Sequence, residues 1–338
     1  RELAAQIEET LRKIGGPLGM RTALLVGGAG MGKQVADLRK RPRFIVATPG
    51  RLVDHLQQGT ARLHDVHAVV LDEADRMLDM GFLPAIRRIL EATSKNRQTM
   101  LFTATWPESV SSVAGFAQRD PVRIEIERPG TTAELVEQGL HVVDQIAKAD
   151  HLDDILRQEK GTVLVFTRTR HGARKVAKGI RNRGHQAAEL HSDLTLAQRR
   201  ASLDGFKKGT HRVLVATDIA ARGIDVKEIA LVVNYDLPDQ PEDYVHRIGR
   251  TGRAGAAGRA LTFATPEQGK ELAAVEREID REIPLADGSP LPRTESLDRF
   301  RRRPTTRPNG RPLSHPAPAS PRSGPPRRTR PARRPTAA

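Results

Sequence analysis

Short apolar runs alternate along the chain with stretches whose apolar positions recur every three or four residues. TALLV (22–26), FIVA (44–47), AVVLD (68–72), TMLF (99–102) and VRIEI (122–126) are short, largely apolar runs that read as strands. QVADLRK, GRLVDHL and LPAIRRILEA lie between them with helical spacing. RPGTTA (128–133) has the composition of a linker. The alternation then restarts with LHVV, TVLVF (162–166), AAEL, RVLVA (212–216), LVVNY (231–235) and ALTFA (260–264). The pattern predicts two tandem α/β domains, each a parallel sheet covered by helices. Their expected bounds are 1–128 and 135–284, joined by 129–134. After Pro284 the periodicity stops, and Pro, Arg, Ser and Thr dominate, so 285–338 is expected to be a disordered tail.

Composition narrows this picture. The chain has 338 residues, no cysteine and only 3% aromatics, so its cores are aliphatic and neither disulfides nor thiolate metal sites can be built. Cysteine-free chains suit a reducing compartment, and the cytoplasm is the expected location. No apolar run approaches the length of a membrane span. The formal charge is +15. From Leu285 onward 13 Arg against 3 acids contribute +10 of it, which points to a polyanionic partner. Because the chain opens at Arg1 directly on a helical pattern, RELAAQIEETLRKI, an upstream segment is expected.

In open parallel sheets ligands gather at the C-terminal strand ends, so residues there carry the chemistry. DEAD (72–75) closes the strand AVVL. Asp72 can hold Mg²⁺ and Glu73 can activate water for nucleoside triphosphate hydrolysis, although a solvated acidic turn has the same composition. TAT (103–105) follows the next strand, with two hydroxyls able to reach those carboxylates or merely to cap a helix. In the second domain ATDIAARGID (216–225) follows a strand, and HRIGRTGR (246–253) places Arg250 and Arg253 among glycines, where they can serve a phosphate as arginine fingers. GGAGMGKQ (27–34) has the glycines and lysine of a phosphate-binding loop, but Gln34 replaces the hydroxyl that ligates Mg²⁺.

The ordered set RELAAQ, VGG, ATPGR, DEAD, TAT, VLVFTRT, LHSDL, ATDIAARGID and HRIGRTGR resembles the DEAD-box ATP-dependent RNA helicases of superfamily 2 over residues 1 to about 284. The resemblance implies two RecA-like domains that close over ATP and Mg²⁺ and remodel short RNA duplexes. It implies that Asp72 holds the metal through water and Glu73 activates the attacking water. Asp75 would link to Thr103, Thr105 and His246, Arg250 and Arg253 would contact phosphates, and Asp225, with Gly223, would contact the nucleotide. RNA would lie on Arg1, Gly28, Thr48, Gly50 and Arg51 of the first domain and on Thr167, Arg168, Asp193, Arg199 and Thr217 of the second. GGAGMGKQ falls where the family has an RNA-side glycine pair. The Walker A loop and the adenine-reading Q motif belong upstream of RELA, so the first domain is expected to be incomplete, with AVVLD exposed at its flank, and this chain alone to hydrolyse ATP poorly.

Three departures stand against the pattern: TAT for SAT, Ser192 for a glycine and Leu196 for a glutamine, the last two bearing on a local RNA contact and a helix cap. The expected protein is a monomer with RNA as partner, no membrane, and ribonucleoprotein contacts through the tail. The alternative is a non-catalytic RNA-binding or annealing module using the second domain and the tail; a third reading, a nucleotide site built on Lys33, stays open.

Overall fold

The computed structural model describes residues 1–125, 136–221, 226, 229–252 and 258–298. The described residues belong to one compact unit. The expected linker, and the candidate residues Gly223, Asp225 and Arg253, lie outside the described residues, as does the chain from 299 onward.

The first lobe contains α1 (Glu2–Gly15), β1 (Thr22–Leu25), α2 (Met31–Arg39), β2 (Phe44–Ala47), α3 (Pro49–Gln57), β3 (Ala68–Leu71), α4 (Ala74–Asp79), α5 (Leu83–Ala92), β4 (Gln98–Leu101) and α6 (Glu108–Ala117). β1 pairs with β2 and β3 with β4, both in parallel. Among the described residues these are two separate two-stranded sheets. Each pair has its own core: Ala23, Leu25 and Leu52 under the first, Leu71, Ile86, Leu90 and Val113 under the second. The exposure expected along AVVLD is present, with Val70 53% and the neighbouring Phe102 55% accessible.

VRIEI does not form the expected strand. Residues 122–125 are irregular, and Val122 and Ile124 are 86% and 79% exposed. A strand needs a partner edge to satisfy its backbone groups, and among the described residues none pairs with this segment.

The second lobe is a six-stranded parallel sheet ordered β5-β10-β9-β6-β8-β7, with β5 (Val136–Val142), β6 (Val163–Phe166), β7 (Ala187–Leu190), β8 (Val213–Ala216), β9 (Leu231–Asn234) and β10 (Gly258–Ala264). Every residue of β6, β8 and β9 is buried, as helices on both faces require. Those helices are α7 (Lys148–Gln158), α8 (Arg170–Asn182), α9 (Leu196–Lys207), α10 (Asp218–Ala221), α11 (Glu242–Ile248) and α12 (Gly269–Glu278). The cap of α9 is intact despite Leu196: Thr195 and Gln198 form a reciprocal capping box.

The expected boundary at Pro284 is too early. Leu285 and Leu291 bridge to β5, and α13 (Glu295–Asp298) buries Leu297 in the second core. Arg293 holds the segment by pairing with Glu276 at 2.8 Å and Asp298 at 2.6 Å while donating to the Ile283 carbonyl at 2.9 Å.

Candidate nucleotide and RNA interface

The described candidate residues that follow strands sit at C-terminal strand ends: Gly28 after β1, Thr48 after β2, Asp72 and Glu73 after β3, Thr103 and Thr105 after β4, Thr167 and Arg168 after β6, Asp193 after β7 and Thr217 after β8.

The acidic corner is built by β3 and β4. The Ala74 N–H donates to the Phe102 carbonyl at 3.0 Å, which ties the start of α4 to the TAT turn. Glu73 caps α4 with φ 50°, a left-handed conformation that side-chain-bearing residues adopt at a cost. Asp75 is buried; one oxygen accepts from the Arg76 N–H at 2.9 Å, and the other accepts from the Thr105 N–H at 3.0 Å and its hydroxyl at 2.8 Å. Burial pushes the Asp75 carboxyl up, but those hydrogen bonds, with His246 nearby, outweigh it and hold it below the usual carboxylate range. The expected link from Asp75 to Thr103 is absent, because the Thr103 hydroxyl donates to the Thr105 carbonyl at 2.7 Å and shapes the turn instead.

Across from this corner stands HRIGRTG (246–252). His246 Nε2 lies 3.9 Å from Asp75 Oδ2, which brings the second lobe against the acidic cluster. α11 is pinned on its inner side by two residues absent from the sequence-derived set. Arg247 is 1% exposed, grips Asp218 at 2.5 and 2.7 Å and donates to the Asp236 carbonyl at 2.6 Å. The Thr251 hydroxyl donates to the Ile229 carbonyl at 2.5 Å. Gly252, at φ 68°, packs so closely on Gly258 that a Cβ on Gly258 would come within 2.4 Å of the Gly252 nitrogen. These contacts leave His246 and Arg250 half-buried on the outer side, where Arg250 Nε also donates to the His246 carbonyl at 3.1 Å.

The glycine loop answers the question posed by Gln34. Its side chain is 3% exposed, and its amide donates to the carbonyls of Val26 and Ala29 at 3.1 and 3.2 Å. Its oxygen faces His55 Nε2 at 3.2 Å. The loop is thus closed from within by carbonyl groups, whereas a phosphate cradle converges N–H groups on an anion. Gly28, at φ 83°, packs beneath the Arg1 guanidinium, and Arg51 donates to the Ala29 carbonyl at 3.0 Å. Arg1, Gly28 and Arg51 therefore share one edge, beside Thr48 and Gly50 at the start of α3.

On the second lobe Arg168 is exposed beside Asp239, its N–H donating to Asp236 at 3.1 Å, and Asp193 pairs with Arg170 at 2.8 Å. Thr167 and Thr217 are buried, and their N–H groups donate to the Ala216 and Leu190 carbonyls at 3.0 and 3.2 Å. Arg199 departs from its expected place. It is 5% exposed and holds Glu2 of the first lobe through two bonds of 2.6 and 2.8 Å, with its third nitrogen on the His191 carbonyl. In this arrangement its guanidinium joins the lobes and does not face RNA.

Residues 1–113 match the DEAD/DEAH box helicase family, and 147–255 match the helicase conserved C-terminal domain. The chain belongs to the DEAD-box helicase family. It is 42% identical over 284 residues to the DEAD-box ATP-dependent RNA helicase CshA of Geobacillus kaustophilus, covering 84% of this chain and 61% of that protein. The chain thus spans about three fifths of the length of this curated relative. Its fold matches S. cerevisiae Dbp5 bound to RNA and ADP BeF3 with a TM-score of 0.74 at 29% identity, covering 84% of this chain and 75% of that one. It also matches Mss116p bound to ssRNA and AMP-PNP with a TM-score of 0.75 at 27% identity, covering 86% and 63%. The two lobes described above are therefore the RecA-like domains of this family. Among the described residues, no helix is long and apolar enough to cross a membrane.

Proposed function

We propose that the protein is an ATP-driven RNA remodeller that closes two lobes on one RNA strand and couples that closure to hydrolysis. The observation that carries this reading is the 3.9 Å approach of His246 to Asp75, which joins the acid-bearing corner of one lobe to the arginine-bearing loop of the other. The carboxylates at the end of β3 suit Mg²⁺, which Asp72 would hold, and Glu73 would accept the proton of the attacking water. When bound, the metal supplies positive charge to the phosphoryl oxygens. Arg250 and Arg253 add guanidinium charge at the same phosphates, and Asp225 and Gly223 hold the nucleotide. Asp75 couples the two events, since its carboxylate touches Thr105 of its own lobe and faces His246 of the other.

RNA lies across Arg1, Gly28, Thr48, Gly50 and Arg51 on one lobe and Thr167, Arg168, Asp193 and Thr217 on the other, held by backbone and short side chains that read its shape with little base readout. The chain works as a monomer in the cytoplasm, and its Arg-rich tail adds salt-sensitive affinity for RNA. The test is ATP turnover by the full-length gene product with and without RNA. Glu73→Gln is expected to lower RNA-stimulated turnover by about 10²-fold or more while RNA binding persists; unchanged turnover removes Glu73 from its role. Salt-dependent RNA binding with no ATP effect in the unmutated protein would support the non-catalytic alternative instead. The closed loop around Gln34 argues against the Lys33 reading, so Lys33→Ala is expected to leave nucleotide binding unaltered.

A further inference from the structure

At the opposite end of the β1–β2 pair from the glycine loop, the chain gathers cations. Arg21 and Arg43 immediately precede the two paired strands, linked by the Arg43 N–H on the Arg21 carbonyl at 2.9 Å. The Arg21 guanidinium donates to the Lys40 carbonyl at 3.3 Å. Arg21, Lys40, Arg41 and Arg43, with Gly19 and Met20, line an open concavity of about 350 Å³. A second, of about 340 Å³, shares Met20, Arg21 and Lys40 and adds Arg12. Asp37 is the one carboxylate among the described residues lining either, and Lys40 already occupies it at 2.7 Å. Among the described residues Arg21, Arg41 and Arg43 have no carboxylate partner, and all are exposed.

We infer that this concavity is a second polyanion site, on the face of the first lobe away from the strand-end interface, and that its ligand is the phosphodiester backbone of an RNA segment flanking the one bound there. Helix ends do not explain the cluster. The partial negative charge at the C-termini of α1 and α2 accounts for Arg12 and Arg39, but Arg21 and Arg43 begin strands. Arg41 sits at φ 50°, just past the end of α2, where glycine is the unstrained choice. The chemistry favours RNA over an acidic protein surface. Guanidinium groups outnumber ammonium groups and match phosphate oxygens in a fork. Met20 is the one sizeable apolar side chain lining the cavities, so the aromatic or aliphatic anchor that protein interfaces centre on is missing, while nucleic-acid interfaces are polar and strongly positive. β1 is four residues long, a span of about 13 Å, so a strand leaving the glycine-loop edge needs little length to reach the patch.

This inference rests on the RNA reading above, and the experiment separates the two. The probes are the shortest single-stranded RNA that the chain binds and a much longer one, titrated over a range of salt. In Arg21→Gln/Arg43→Gln the long RNA is expected to bind roughly tenfold more weakly, with a salt slope reduced by about 0.7 for each phosphate no longer neutralised, while the shortest RNA binds as before. Arg41→Gly is expected to lower long-RNA affinity while raising the melting temperature, which separates weaker binding from damage to the fold. Equal affinities for the long RNA in wild type and variants, or equal weakening for both lengths, overturns the second site. Displacement of a polyglutamate peptide by these substitutions with RNA affinity unchanged also overturns it, in favour of a protein partner. If the unmutated chain binds neither RNA, the RNA reading itself falls.

Discussion

His141 on β5 and His151 on α7 approach to 2.6 Å, Nδ1 to Nε2, within 6 Å of the Phe263 ring. Burial pushes the His141 imidazole down to about 4, with His151 adding a smaller push, and burial lowers His151 as well although Asp154 opposes it. The folded state thus resists a proton that the unfolded chain takes up near 6.5. Its contribution is whole above that value, falls as pH drops from about 6.5 to about 4, and levels off below, where both states are protonated. For His141 alone the loss is on the order of 3 kcal/mol at most. Thermal unfolding followed between pH 7.5 and 4.5 is expected to show a steep loss that His141→Gln flattens; an unchanged slope would assign the acid sensitivity elsewhere. This pair is not legible in the sequence, because ten residues and a change of element separate two histidines that meet only where α7 packs on the sheet beside Phe263. Gln34 lies at the other extreme. Its misfit to a phosphate loop is visible as a residue type, whereas its work inside the loop depends on which carbonyls turn inward.

α11 and the turn after it have two sides, and helical spacing explains both. Positions 246 and 250 are four apart and share one side; 247 and 251 share the other. The outer side presents His246 to Asp75 of the first lobe and carries Arg250 beside it, and the inner side anchors Arg247 and Thr251. Glycine framing marks Arg250 and Arg253 as functional in the sequence and leaves Arg247 unmarked, although the same spacing separates the two sides. Asp218 lies in the ATD motif and is equally visible. Arg247→Ala strands the Asp218 carboxylate, which is 17% exposed, and leaves the Asp236 carbonyl without its guanidinium donor. A loss of about 3–5 kcal/mol is expected, seen as a lower midpoint in urea unfolding; a loss below about 1 kcal/mol would mean that water replaces the ion pair. Elements follow the same rule of legibility. Strands buried on both faces, such as β6 and β8, declare themselves as continuous apolar runs. Residues 122–125 alternate apolar and charged positions, yet among the described residues no edge pairs with them, and 285–298 carry no regular pattern, since Leu291 and Leu297 reach the second core separately while Leu285 stays 43% exposed and contributes backbone pairing. Pattern reports what a segment could bury, and tertiary partners decide whether it does.

At the scale of the molecule, two contacts from opposite lobes bear on closure: His246 against Asp75 and Arg199 against Glu2. The second is the tighter. Burial pushes the Glu2 carboxyl up, but the hydrogen bond and charge of Arg199 outweigh it and hold it below the usual range. The pair therefore holds while Glu2 is ionised and weakens as pH falls through that lowered value. Its position at the start of α1, in the same stretch as Arg1, puts it next to the expected RNA edge, so an RNA strand seated on Arg1 and Gly28 would meet a lobe junction already fixed by Glu2. Glu2→Gln removes the charge that compensates a nearly buried guanidinium, and loss of one partner in such a pair costs about 2–5 kcal/mol. The lobes can avoid that cost by separating, because Arg199 regains water once the junction opens. The substitution is therefore expected to shift the ratio of open to closed forms by at least about 30-fold, corresponding to about 2 kcal/mol, with each lobe still folded. Energy transfer between dyes placed on α6 and α8 reads that ratio directly. The exchanged pair, Glu2→Arg with Arg199→Glu, is expected to restore part of the closed population because the attraction survives the swap. An unaltered distance distribution in Glu2→Gln would show that closure is governed elsewhere, leaving the contact between Asp75 and His246 as the junction to probe next.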